Sequence, residues 1–97
     1  MLDRATPRVG AVVHAPPTSI TLEFSEGVEA ALAHVTLSDS HGAAVQLGRA
    51  SSATSDKRIL SVPVKPALTA GTYTVTWRVV SVDSHVTQGD FKFTVRP

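Results

Sequence analysis

The chain has no cysteine, which removes disulfides, thiolate metal sites, zinc fingers and cysteine nucleophiles and leaves its redox compartment unspecified. Its single methionine is Met1, so a thioether-rich site for a soft metal has nothing to be built from. No apolar run approaches the roughly 20 residues that span a bilayer. The opening Met1-Leu2-Asp3-Arg4-Ala5-Thr6-Pro7 lacks the apolar centre of a secretory signal. That leaves a cytosolic protein or a mature chain whose signal peptide has been removed, and Met1 fits either a native residue or an added initiator. An excess of either charge is missing too. Lysine and arginine stand singly among acids at a net charge of +1, so no basic stripe invites nucleic acid or an anionic membrane. There is no long helical period and no Gly-x-Ser-x-Gly element to frame a nucleophile for any of the four histidines.

What is present describes an ordinary folded chain: 97 residues, 42% hydrophobic and 18% charged, enough for one domain spanning 1–97 with a real core. Ile20, Leu22 and Phe24 alternate with Thr21, Glu23 and Ser25, the period-two pattern of a half-buried strand. A second strand is expected at about Val35 to Ser38, after a connection over Gly27 to His34 that crosses between sheets. Ala43 to Leu47 reads as a short, weak strand, 48–57 as an exposed loop rich in Ser, Ala and Thr, and Leu60, Val62 and Val64 as the next apolar face. Pro63 and Pro66 mark that segment as an edge strand or a strand end. The strongest strand is Thr72 to Val80, where Tyr73, Val75, Trp77 and Val79 face one way, which assigns Trp77 to the core. Phe91, Phe93 and Val95 repeat the pattern at the end. About seven short strands with turns between them predict an all-β, immunoglobulin-like antiparallel Greek-key sandwich. Tyr73, after Leu68-x-x-Gly71, stands where such folds place a tyrosine corner.

Asp83 and His85 follow the strongest strand two residues apart. If the extended geometry continues that far, their side chains share a face. A carboxylate oxygen with an imidazole nitrogen makes a mixed half-site suited to Cu(II), Ni(II) or Zn(II). The competing reading is a turn carboxylate beside an exposed imidazole. Asp39-Ser40-His41-Gly42 has the same spacing, yet Asp at the first and Gly at the fourth position make a type I turn that already accounts for both residues. His14 and His34 read as surface residues.

Several segments then line up in one order: Pro7-x-x-Gly10-Ala11-Val12, Ala15-Pro16-Pro17, Ile20-Thr21-Leu22-Glu23-Phe24-Ser25-Glu26, the run from Leu68 through Gly71-Thr72-Tyr73 and Trp77-Arg78-Val79-Val80-Ser81 to Asp83-x-His85, and Gly89-x-Phe91-x-Phe93-x-Val95. Together they make the chain, over nearly its whole length, resemble CopC-type copper-resistance proteins. The resemblance implies a periplasmic, immunoglobulin-like sandwich, monomeric, that binds copper without catalysing a reaction. The implied partners are the copper ion and an inner-membrane copper transporter. It also implies a Cu(II) site in which an N-terminal histidine, bound through amine and imidazole, joins the Asp and His of an Asp-x-His motif, here Asp83 and His85. Glu26, in Phe24-Ser25-Glu26, matches a weaker carboxylate ligand of some members and has the competing reading of a solvated strand-end charge.

Two departures matter. Aligning the family start His-Ala-x-Leu on Leu2 puts that histidine two positions before Met1, so the sequence as written does not carry it. The stretch that corresponds to a methionine-rich Cu(I) loop, about His41 to Lys57, contains no sulfur. A copper oxygenase built on an N-terminal histidine brace would need the same missing residue. The alternative to copper is an interaction or adhesion module of the same fold, in which Asp83-x-His85 is a strand connection only.

Overall fold

The structure is a computed structural model that describes residues 2–52 and 55–97, so Met1 and part of the segment expected as a 48–57 loop lie outside the described residues; the rest of that segment holds a two-residue strand, Ser51–Ser52. Two sheets face each other. The first has the order β1-β3-β7-β6, from β1 (Leu2–Thr6), β3 (Ser19–Phe24), β6 (Ser51–Ser52) and β7 (Ile59–Pro63). The second has the order β2-β9-β8-β4-β5, from β2 (Val12–Val13), β4 (His34–Ser38), β5 (Ala44–Val45), β8 (Gly71–Val80) and β9 (Val86–Val95).

The alternating patterns do what period two requires. Ile20, Leu22 and Phe24 from β3 and Leu60 and Val62 from β7 are buried from one side, and Tyr73, Val75, Trp77, Val79, Phe91, Phe93 and Val95 from the other. Phe24 meets Trp77 across the sheets edge to face, with centroids 5.3 Å apart at 70°. Such a pair adds about 1 kcal/mol beyond its buried area. Trp77 stands opposite Gly89 on β9, and a Cβ there would come within 2.9 Å of the indole, so the glycine makes room for the ring. The Tyr73 hydroxyl donates to the Thr69 carbonyl at 2.7 Å, closing the tyrosine corner.

Three elements depart from the alternation. β1 carries only Ala5 as a buried residue, too little apolar pattern to announce a strand, yet it pairs antiparallel with β3. β9 starts at Val86, before the apolar pattern of Phe91, because the backbone of 86–90 pairs with β8 although inward-facing Thr87 and Gly89 carry no bulky apolar group. β2 pairs parallel to β9, an exception to the antiparallel expectation, held by two residues.

This architecture brings two chain segments to one end. β3 leaves its sheet after Phe24 and crosses to β4 through a single 3₁₀ turn at Ala30–Leu32. On the way it is tied to the β8–β9 connection: Glu29 N–H donates to Val80 O at 2.8 Å and Val82 N–H to Gly27 O at 3.0 Å, with Val28 bridged to Ser81. Glu26 is thereby held beside the hairpin that contains Asp83 and His85.

Candidate metal centre

Asp83 and His85 are not on extended chain. β8 ends at Val80, and a tight connection closes over 81–85, with Ser84 at φ 75°. Ser84 N–H donates to Ser81 O at 2.9 Å and Ser81 N–H to His85 O at 2.8 Å. The two side chains are gathered by a turn rather than by strand alternation.

Ser81 organises that turn from inside. It continues the inward parity of Tyr73, Val75, Trp77 and Val79, and among the described residues it is the buried polar one, 5% exposed. Its hydroxyl donates to Asp83 Oδ1 and accepts the His85 N–H at 3.0 Å. The sequence signal for it was available: a polar residue at an inward position two residues before Asp83.

His85 Nδ1 then lies 3.4 Å from Asp83 Oδ2 and 3.9 Å from Glu26 Oε1. One ligand atom from each of Glu26, Asp83 and His85 falls within 4.8 Å of the others. The group is open to solvent, with the His85 side chain 72% exposed. The Ser81 hydroxyl, and after it the His85 imidazole, hold the Asp83 carboxyl below the usual carboxylate range. Two carboxylates and one imidazole on an open surface form a hard-to-borderline O,O,N set that fits a divalent ion such as Cu(II) and offers nothing to a soft one.

The remaining histidines stand apart from this group. His14 Nδ1 donates to Arg96 O at 2.8 Å, fastening the end of β2 to the last strand. His34 lies on β4 opposite Arg78, beside an open cleft of about 650 Å³ whose lining includes Arg49 and no carboxylate. In the Asp39–Gly42 turn, Asp39 Oδ1 accepts the N–H groups of His41 and Ala43 at 2.9 and 3.0 Å, and Gly42 takes φ 81°.

Comparison with known proteins agrees in direction. The CopC domain pattern matches residues 2–96. Protein YobA of Escherichia coli strain K12 is 40% identical over 90 residues, covering 93% of this chain and 73% of that protein. Copper resistance protein C of Escherichia coli is 31% identical, with 98% of this chain and 79% of that protein covered. Among solved structures, CopC from Methylosinus trichosporium OB3b superposes with a TM-score of 0.92 at 35% identity, covering all of this chain and 93% of that one.

Proposed function

The chain belongs to the CopC family of copper-resistance proteins, and from that premise we propose that it is a periplasmic protein that binds Cu(II) and buffers it or hands it on without catalysing a reaction. The observation that carries this reading is the convergence of Glu26, Asp83 and His85 ligand atoms within 4.8 Å at an exposed end of the sandwich. His85 supplies the nitrogen, Asp83 the strong oxygen, and Glu26 a weaker oxygen from the facing segment. Three side chains of this kind leave room for further donors. A histidine upstream of β1 would add an amine and an imidazole, joined in one chelate ring, to complete the tetragonal plane Cu(II) favours. The strand register supports that completion: Leu2, the start of β1, pairs with Phe24, two residues before Glu26.

The copper held here is cargo, and an inner-membrane copper transporter is the proposed recipient. Exposed Val82 and Val86 flank Asp83–His85 and give a docking partner an apolar foothold beside the ion. The scarcity of sulfur favours a Cu(II) carrier over one that alternates oxidation states.

A Cu(II) titration followed by electron paramagnetic resonance tests the proposal, on this chain and on one extended by His-Ala with a free amine. The extended chain is expected to bind one Cu(II) tightly with a nitrogen-rich tetragonal signal, lost in Asp83→Ala and His85→Ala. A signal indifferent to both substitutions refutes it.

A further inference from the structure

We infer that Ser81 is a positioning residue that presents Asp83 to the metal through one oxygen, an inference that rests on the Cu(II) reading of this site. The case is geometric. A carboxylate at a solvent-exposed turn has a free χ1 and χ2 and two equivalent oxygens. Here the Ser81 hydroxyl donates to Oδ1, and Oδ2 is the oxygen left facing His85 Nδ1 at 3.4 Å. The same hydroxyl accepts the His85 N–H at 3.0 Å, so one oxygen atom sets the placement of both ligands. Its own position is not free to drift. The Ser81 backbone donates to His85 O and accepts from Ser84 N–H, the residue is buried at 5% exposure, and its bridge to Val28 ties it to the segment that carries Glu26. Groups that hydrogen-bond to metal ligands orient them and typically change affinity about 10- to 100-fold when removed.

The consequence is specific. With Oδ1 engaged by Ser81, Asp83 would offer a metal the single oxygen Oδ2 beside His85. Ser81→Ala frees Oδ1 and lets the carboxylate rotate or chelate through both oxygens.

The test adds Cu(II) alone to the His-Ala-extended chain and to its Ser81→Ala, Ser81→Thr and Asp83→Ala variants, reading affinity, the parallel copper hyperfine splitting and the melting temperature of each. We expect Ser81→Ala to lose roughly tenfold in affinity and to change the hyperfine splitting, with Ser81→Thr, which keeps the hydroxyl, restoring the parent spectrum. An Ala variant that melts earlier but keeps the parent spectrum and affinity shows a merely structural serine and overturns the inference. So does a Thr variant that melts normally yet matches Ala in its spectrum. If Asp83→Ala binds Cu(II) as the parent does, the copper reading of the turn has failed, which is a different result from either.

Discussion

The molecule contains the Asp-Ser-His sequence twice, at Asp39–His41 and at Asp83–His85, and only the second becomes a candidate metal centre. In the first turn Asp39 Oδ1 is spent on the backbone N–H groups of its own loop. In the second, the Ser81 hydroxyl donates to Asp83 Oδ1 and accepts the His85 N–H, and Asp83 Oδ2 lies 3.4 Å from His85 Nδ1. The second difference lies in what stands opposite. The Asp83 turn faces Glu26, delivered from the other sheet by the Val28 bridge to Ser81. A two-residue spacing is therefore not a site. What makes it a candidate is a buried hydroxyl that holds the carboxylate beside the imidazole and a second segment that brings another carboxylate within reach.

The sharpest way to break this comparison is to remove the same residue from each turn. In the His-Ala-extended chain, Asp83→Ala and His85→Ala are expected to weaken Cu(II) binding by about 100-fold or more, roughly 2.7 kcal/mol, while Asp39→Ala and His41→Ala leave it unchanged in a competition titration. Stability should divide in a graded way. Ser81→Ala strips a buried acceptor from the His85 N–H and should cost about 1–3 kcal/mol in urea unfolding. Asp39→Ala exposes its loop N–H groups to water and should cost about 1 kcal/mol. Equal costs would mean that the two turns are held alike.

These two turns also mark what the sequence could tell a reader. The strands of the core were legible because Ile20, Leu22 and Phe24, or Tyr73 through Val79, repeat at period two and bury one face. β1 was not, since its pairing with β3 rests on backbone hydrogen bonds and its side chains are mostly exposed. The first half of β9 was hidden for a related reason, because Gly89 faces inward only to admit the Trp77 ring. At the site, Asp83 and His85 stood out by residue type and by resemblance to a known family. The turn that joins them closes through bonds among Ser81, Ser84 and His85, and the approach of Glu26 depends on long-range backbone bonds that no local pattern encodes. Ser81 was legible in principle, as a hydroxyl at an inward position, but its role needed the turn.

Glu26 sharpens the comparison at smaller scale. Glu26→Gln keeps the shape and removes the charge, and about a threefold loss of Cu(II) affinity, below 1 kcal/mol, is expected if it is the weaker ligand. No loss would return it to a solvated strand-end charge.

The smallest effect should come from acid. Asp83 has its folded pKa lowered by the Ser81 hydroxyl and then by His85, so its contribution to stability is present above the unfolded carboxylate pKa and is lost as pH falls through the folded value. Asp56, drawn down to about 2 by Arg58, behaves in the same sense. Urea midpoints taken from pH 5 down to pH 2 should therefore fall less steeply in Asp83→Asn than in the parent chain, by the part that Asp83 supplies.

One spectrum addresses the central contrast directly. Cu(II) added below stoichiometry to the 15N-labelled, His-Ala-extended chain broadens the amide resonances nearest the ion. The account predicts loss of the signals from Ser81 to Val86 and from Glu26 to Val28, with those of Asp39 to Ala43 intact. Broadening at Asp39 to Ala43 first, or equally at both turns, would contradict it.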